Sequence, residues 1–278
     1  MRLHEVIVLK LVLQQLASLL SIFGLLASCT KSKDQKSCES GPGLADIPIH
    51  GHLPEKTLAL TFDDGPTPHT EELAAYLHHA GVPSTFFVIG SKALLQPKTL
   101  EILRSQGHLV ANHTNSHPDL TKTGNAAQEV RRADAAISPY VSGNIFLFRA
   151  PYGQFNINAI TSINAAGLGK YYGPIHWDIG EDLTETAAAD WACISKNISA
   201  SACAALYLQE IKEKKGGVVL MHDSVSYITE LVKLIVEPLK QEDWKFVRID
   251  ESETIAQEIR KRGGSPGASG GTSYCYDY

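Results

Sequence analysis

Short apolar runs alternate with amphipathic stretches along most of the chain. The apolar runs predict buried strands at 57–62, 84–89, 108–111, 145–148, 171–177, 217–221 and 245–249. A helical spacing of apolar residues predicts helices near 70–80, 97–106, 125–138, 156–166, 204–214, 228–241 and 251–262. Several of these helices are followed by a glycine, the usual left-handed C-terminal cap, as at Gly81, Gly107 and Gly167. This alternation predicts parallel βαβ units in an α/β fold and favours a closed or nearly closed barrel, with a doubly wound open sheet as the alternative.

The first residues have the pattern of an export signal. Basic residues near the start are followed by an apolar run at 16–26, which is short for a membrane span. The motif Leu26-Ala27-Ser28-Cys29 resembles a bacterial lipobox, in which the cysteine is lipidated and becomes the mature N-terminus. We therefore expect a lipoprotein-type signal peptide at 1–28 and a lipid on Cys29 that anchors an exported protein to a membrane of the bacterial cell envelope. A plain signal peptide with an incidental cysteine is the alternative.

Polar segments at both ends bound a single predicted domain. Residues 29–54 are expected to form a flexible tether, and the glycine-rich residues 263–278 a flexible tail. The domain between them covers 55–262, a size common for single α/β barrels. An even number of cysteines remains after Cys29, which permits disulfides in an exported chain, and Cys193 and Cys203 are the expected pair.

Composition and charge narrow the classes of function. With 44% apolar residues the chain is expected to fold as a globular protein. Its 25 basic and 30 acidic residues give a net charge of −5 without a dense basic cluster, which argues against a nucleic-acid partner. A neutral substrate suits this balance.

Two adjacent carboxylates, Asp63 and Asp64, follow the first predicted strand in the sequence Thr61-Phe62-Asp63-Asp64-Gly65-Pro66. Neighbouring residues at a strand end point in different directions, so one carboxylate can hold a metal ion while the other moves a proton. An ordinary turn is the alternative, because Asp, Gly and Pro are common turn residues.

Other polar clusters also follow predicted strand ends. They are His113–His117, Arg149–Gly153, Trp177-Asp178 and His222-Asp223. The C-terminal ends of parallel strands in a barrel form one face, which is where active sites occur in such barrels. We therefore expect the clusters to contribute to one site.

The spacing of His113 and His117 suits a metal centre. Two imidazoles four residues apart lie on one side of a compact loop, and a strand-end carboxylate adds a third ligand. Three protein ligands leave positions open for water and substrate, as in catalytic metal sites. Zinc suits imidazole and carboxylate ligands best, and cobalt, nickel or iron also fit.

Two more residues have expected roles beside this centre. His222 ends a buried strand and is the natural proton donor to a leaving group, with a core histidine paired to Asp223 as the alternative. Arg149 can orient one of the aspartates and lower the pKa of its carboxyl.

Taken in order, these motifs resemble those of the polysaccharide deacetylases of carbohydrate esterase family 4, the NodB homology domain. The resemblance covers roughly residues 55–262 and rests on Thr61–Pro66, His113-x-x-x-His117, Arg149–Gly153, Trp177-Asp178 and Leu220–Asp223. It implies a distorted (β/α)7 barrel and a metal-dependent enzyme that removes N-acetyl groups from polysaccharide containing N-acetylglucosamine, such as peptidoglycan or chitin oligosaccharide, and releases acetate. An O-acetyl esterase uses the same residues and is an alternative, as is a carbohydrate-binding barrel without catalysis.

The resemblance also implies a role for each residue. Asp64, His113 and His117 would bind the metal, Asp63 would be the general base held by Arg149, and His222 would be the general acid. The oxyanion would lie near the backbone N–H of Tyr152, beside Pro151, and Trp177 and Leu220 would line the pocket for the acetyl methyl group.

One motif departs from the family pattern. Many members carry aspartates at the third and sixth positions after the tryptophan, where this chain has glycine and leucine. The carboxylate that tunes His222 is therefore open: Asp178 is the first choice, with Asp182 and Asp190 behind it. The added stretch that holds the cysteine pair is expected to form a disulfide-closed loop near the cleft.

Overall fold

The computed structural model describes residues 43–268. The predicted signal peptide, Cys29 and most of the predicted tail lie outside the described residues. Within 43–268, no helix is both long enough and apolar enough to cross a membrane.

Parallel strands form the central sheet of the described residues. They are β1 (Thr57–Asp63), β2 (Thr85–Val88), β3 (Leu109–Asn112), β4 (Gly217–His222) and β5 (Lys245–Phe246). Their order is β3-β2-β1-β4, and β5 pairs with the start of β1. The register sets Asp63, the last residue of β1, opposite His222, the last residue of β4. The predicted α/β class with parallel strands is confirmed.

Helices connect and flank these strands in the part of the chain that the structure describes. They are α1 (Thr70–Ala80), α2 (Gly90–Leu95), α3 (Pro97–Ser105), α4 (Ala126–Ile137), α5 (Ile157–Ala165), α6 (Asp190–Ser195), α7 (Ala200–Lys214), α8 (Ile228–Gln241) and α9 (Glu253–Lys261). The three predicted cap glycines all have left-handed backbone. Helices α2 and α6 were not predicted, because six residues are too few to show a helical period.

The predicted strands at 145–148 and 171–177 are present only as single parallel bridges. Their bridges join Asn112 to Phe148, Leu147 to Tyr172 and Ile49 to Ile175, and just beyond the second segment a further bridge joins Ile179 to Val219. Pro174 interrupts the second segment, because proline has no N–H to donate to a ladder. The sheet therefore continues from β3 towards β4 through isolated bridges rather than full strands.

Residues 43–54, predicted as part of the tether, pack against the domain instead. Leu44 is buried, and its backbone N–H donates to a side chain of α5 at 2.8 Å. Ile49 forms a parallel bridge with Ile175. Residues 263–268, at the start of the predicted tail, also hydrogen-bond to the domain.

The side chains of β1 alternate between two apolar clusters, one on each face of the strand. Leu58 and Phe62 pack with the surrounding helices. Ala59 belongs to a second cluster, which includes Trp177. Because side chains alternate along a strand, Asp63 lies on the same side of β1 as Ala59. The strand therefore directs the Asp63 carboxylate to the side of Trp177.

Candidate active site

The C-terminal ends of the strands bring the predicted site residues together. Asp63 ends β1, His113 follows β3 and His222 ends β4. Arg149 follows the bridge that extends β3, and its Nη1 lies 2.7 Å from Asp63 Oδ1. The expected convergence of separate motifs on one face is therefore what the structure shows for these residues.

Asp64, His113 and His117 form a group that suits a metal ion. One ligand atom from each residue lies within 4.8 Å of the other two. Asp64 Oδ1 is 3.2 Å from His117 Nε2 and 3.7 Å from His113 Nε2. This oxygen is buried and has no hydrogen-bond partner among the described residues. A buried, unpartnered carboxylate oxygen between two imidazoles fits a bound cation, which would satisfy all three groups.

The loop after β3 is shaped by its own polar side chains. Thr114 and His117 both have left-handed backbone, with φ of 65° and 60°. Asn112 Oδ1 accepts the Thr114 N–H at 2.9 Å, and Thr114 Oγ1 accepts the His117 N–H at 3.1 Å. Glu129 of α4 accepts the backbone N–H groups of residues 115 and 116, at 3.1 and 2.8 Å. These bonds bend the loop so that both imidazoles point towards Asp64.

The orientation of His113 is set by Arg149. His113 Nδ1 donates to the backbone carbonyl of Arg149 at 2.9 Å, which leaves Nε2 free to face Asp64 and His117. Burial lowers the pKa of His113 to about 3, against the opposing charge of Asp64. The imidazole is therefore neutral at physiological pH, the form that binds metal.

Asp63 and Arg149 form a buried ion pair beside the metal group. Arg149 also donates from Nη1 to Thr61 Oγ1 at 2.8 Å and from Nε to the carbonyl of Ile175 at 3.2 Å. Burial raises the pKa of Asp63, while the charges of Arg149 and His222 act in the opposite direction. Asp63 Oδ2 lies 3.6 Å from His113 Nε2, so this oxygen faces the metal group.

The carboxylate partner of His222 is Asp190. His222 Nδ1 lies 2.8 Å from Asp190 Oδ1, and the His222 backbone N–H donates to Asp190 Oδ2 at 2.6 Å. Burial by itself lowers the pKa of His222, but the charge and hydrogen bond of Asp190, with smaller effects of Asp63 and Asp64, raise it to about 9. His222 is therefore protonated near neutral pH and presents Nε2 as a donor.

The first choice for this partner, Asp178, was wrong. Asp178 accepts the backbone N–H of Val218 at 2.8 Å and lies 3.3 Å from His50 Nδ1. Val218 is near the start of β4, whereas His222 is its last residue, so Asp178 is placed at the wrong end of the strand. Asp182 is exposed. Asp190 was the third choice from the sequence, and only the placement of α6 brings its carboxylate to His222.

The residues expected to surround the acetyl group lie next to this centre. Tyr152 has left-handed backbone, with φ of 59°, and its ring meets that of His117 edge-on at 4.5 Å between centroids. Pro151 is buried beside it. Trp177 and Leu220 share one buried cluster, and the Trp177 ring centroid is 5.5 Å from the Arg149 guanidinium carbon.

The expected cysteine pair is joined in the structure. A disulfide links Cys193 of α6 to Cys203 of α7. Since α6 begins with Asp190, the disulfide lies close to the partner of the proposed acid.

Comparison with known proteins identifies relatives of much of this chain. The family model for polysaccharide deacetylase matches residues 50–170. A chitooligosaccharide deacetylase from Sinorhizobium fredii is 35% identical over 168 residues, which are 59% of this chain and 70% of that protein. The peptidoglycan-N-acetylglucosamine deacetylase PgdA of Listeria monocytogenes is 27% identical over 229 residues, 81% of this chain and 44% of that protein.

Solved structures show the same fold. The Bc1960 peptidoglycan N-acetylglucosamine deacetylase aligns with a TM-score of 0.59 at 22% identity, covering 73% of this chain and 91% of that one. A family 4 carbohydrate esterase from Streptomyces lividans aligns with a TM-score of 0.54 at 25% identity, covering 70% and 95%. With the sequence relatives, they confirm the resemblance found in the motifs. The chain therefore belongs to the polysaccharide deacetylases of carbohydrate esterase family 4, which are hydrolases of amide bonds.

Proposed function

We propose that this chain is a metal-dependent deacetylase that hydrolyses the N-acetyl groups of N-acetylglucosamine-containing polysaccharide and releases acetate. Chitin oligosaccharide and peptidoglycan are the proposed substrates, because the sequence relatives include deacetylases named for each. The observation that carries the proposal is the register of β1 and β4. It sets a carboxylate held by an arginine, Asp63, opposite an imidazole held by a carboxylate, His222, beside one metal-binding group.

Asp64, His113 and His117 are the residues proposed to hold the ion. When bound, such an ion polarises an acyl carbonyl and acidifies a water molecule. Two imidazoles and a carboxylate suit zinc best, and cobalt, nickel or iron also fit this donor set.

Asp63 is proposed as the general base. Its Oδ1 is occupied by Arg149, and its Oδ2, on the side of His113, is free to take a proton from the attacking water. The charge and hydrogen bond of the arginine lower the pKa of the Asp63 carboxyl and so oppose the larger effect of its burial.

His222 is proposed as the general acid. With Nδ1 on Asp190, its Nε2 can donate a proton to the amine nitrogen as the bond to the acetyl carbon breaks. The backbone N–H of Tyr152 is proposed to stabilise the oxyanion, and Trp177 and Leu220 to contact the acetyl methyl group.

The proposal is tested by acetate release from chitooligosaccharides, peptidoglycan and acetylxylan. The protein is assayed after treatment with a chelator and after addition of Zn²⁺, with Asp63→Asn as the inactive control. We expect acetate from an N-acetylated substrate, loss on chelation and recovery on addition of metal. Release from acetylxylan alone would make the chain an O-acetyl esterase, and saccharide binding without release from any substrate would make it a binding protein.

We also propose that the protein is exported and anchored to the bacterial cell envelope through a lipid on Cys29. The support is the apolar run and the lipobox-like motif of the sequence. An envelope location would place the enzyme beside the N-acetylglucosamine polymers of the cell surface.

A further inference from the structure

The short helix α6 is fastened to α7 at two points. Cys193 and Cys203 form a disulfide between the helices, and the backbone N–H of Asp190 donates to the hydroxyl of Tyr207 at 3.1 Å. Asp190 and Cys193 are three residues apart on α6, and Cys203 and Tyr207 are four apart on α7. Each pair therefore lies on one face of its helix, and the two fastenings join the same two faces.

The hydroxyl of Tyr207 also contacts β4. It donates to the backbone carbonyl of Leu220 at 3.1 Å, two residues before His222. The His222 backbone N–H in turn donates to Asp190 Oδ2. The bonds close a ring from Asp190 through Tyr207 and β4 back to Asp190. Within this ring α6 contacts β4 twice, directly through the Asp190 carboxylate and indirectly through the Tyr207 hydroxyl.

Gly180 leaves the space that this ring needs. A Cβ on Gly180 would lie 2.4 Å from the Leu220 carbonyl oxygen and 3.2 Å from the Tyr207 hydroxyl. Gly180 also has a φ of 97°, which disfavours other residues. This is one of the two positions after Trp177 where the motif departs from the family pattern. Here the glycine makes room for the tyrosine hydroxyl.

We propose that Tyr207 is a positioning residue for the proton donor: its hydroxyl fixes the start of α6 against β4 and so holds Asp190 on His222. The inference rests on the proposed function for the role given to His222. Tyr207 is fully buried, so bulk water cannot replace a missing hydroxyl, and both backbone groups would be left unpartnered.

Other charged groups also act on His222. They are Asp63 and Asp64 at the end of β1, His117 in the loop after β3, and the adjacent Asp223. The hydrogen bonds of Tyr207 go to Asp190 and Leu220. Removing its hydroxyl therefore changes the Asp190 contact and leaves the other groups in place.

The test compares Tyr207→Phe with Tyr227→Phe in the metal-loaded enzyme. Tyr227 is a matched control, because its hydroxyl donates to the Ile198 carbonyl at 3.1 Å and its ring packs against the same apolar cluster as Tyr207. We expect Tyr207→Phe to move the alkaline limb of the kcat/KM profile to lower pH. Its kcat/KM at pH 8.5, relative to pH 6, should fall roughly two- to tenfold, the effect of one lost hydrogen bond. The control should match the wild type, and metal content should be unchanged in both.

If Tyr207 had only a structural role, Tyr207→Phe would lower kcat/KM equally at every pH and leave the alkaline limb in place. That result in a folded Tyr207→Phe variant overturns the inference that Tyr207 positions the proton donor. Wild-type protein that releases no acetate from any substrate overturns the proposed function instead. In that case the pKa of the His222 imidazole is measured by NMR titration in both variants. Equal pKa values in Tyr207→Phe and Tyr227→Phe would refute the positioning role of Tyr207. Should Tyr207→Phe not fold, hydrogen exchange on the wild type decides: the Asp190 amide is expected to be protected, and exchange as fast as that of the exposed Glu185 amide refutes its bond to Tyr207.

Discussion

Asp190→Asn should change the pH dependence of catalysis far more than its maximum rate. The substitution keeps the shape of the side chain and removes the charge that faces His222 Nδ1 at 2.8 Å. The pKa of His222 is about 9 with Asp190 present, and burial opposes that increase. Without the charge we expect the pKa to fall to its ordinary value of about 6.5 or below.

The size of the effect follows from the protonated fraction of His222. At pH 8 this fraction is roughly 90% for a pKa of about 9 and roughly 3% for a pKa of about 6.5, so kcat/KM should fall roughly 30-fold. At pH 6 the loss should be about twofold or less, because both forms are largely protonated. A cation at the proposed site would lower the pKa of His222 in both proteins, so the difference between the two pH profiles is the quantity to compare.

The assay is acetate release from one N-acetylated oligosaccharide between pH 5 and 10, with Asp178→Asn as the matched control. Asp178 contacts His50 and β4 but not His222, so its variant should keep the wild-type alkaline limb.

Thermal unfolding gives a second readout. The raised pKa of His222 stabilises the fold below about pH 6.5, and this contribution is lost as pH rises through about 9. The wild type should therefore be more stable than Asp190→Asn at pH 6, and the gap should narrow towards pH 10. In the pH profiles of kcat/KM, an alkaline limb that stays in place in Asp190→Asn would refute Asp190 as the partner of His222. A limb that moves in Asp178→Asn would assign that role to Asp178.

Three other changes test separate parts of the proposal. His117→Ala should lower metal content and activity together, since it removes one of three ligands; stoichiometric metal with full activity would contradict the site. Asp63→Asn should keep its metal, measured by elemental analysis, and lose on the order of 10²- to 10⁴-fold in turnover, whereas activity within a few-fold of wild type would place the base elsewhere. Cys29→Ser should release the protein from membranes or block its processing on fractionation, and an unchanged membrane-bound, processed form would refute the lipid anchor.

The metal group could be predicted because its signals are local. His113 and His117 are four residues apart, and Asp64 directly follows a strand whose burial is evident from its apolar residues. Parallel strands then bring these ends together whatever the details of the loops. The α/β class follows from the same alternation of strands and helices.

The partner of His222 could not be predicted, because no local pattern fixes it. Asp178, Asp182 and Asp190 are all acids that follow Trp177, and the sequence ranks them only by distance along the chain. The choice is made by the packing of α6, a helix of six residues that α7 holds through a disulfide and the hydroxyl of Tyr207. Likewise, the strands predicted at 145–148 and 171–177 narrow to single bridges because tertiary pairing, not apolar content, decides the length of a ladder.

Arg149 serves the site with two chemically independent parts, and this shapes how the protein could evolve. Its guanidinium contacts Asp63, whereas its backbone carbonyl orients His113. A change of codon at this position alters the first contact and leaves the second, because every amino acid supplies the same carbonyl. A lineage that lost the arginine would thus lose the support of the base while its metal ligand stayed oriented. Substitution of Arg149 would therefore separate the two proposed halves of the site, because the contact to Asp63 is lost while the carbonyl that orients His113 remains.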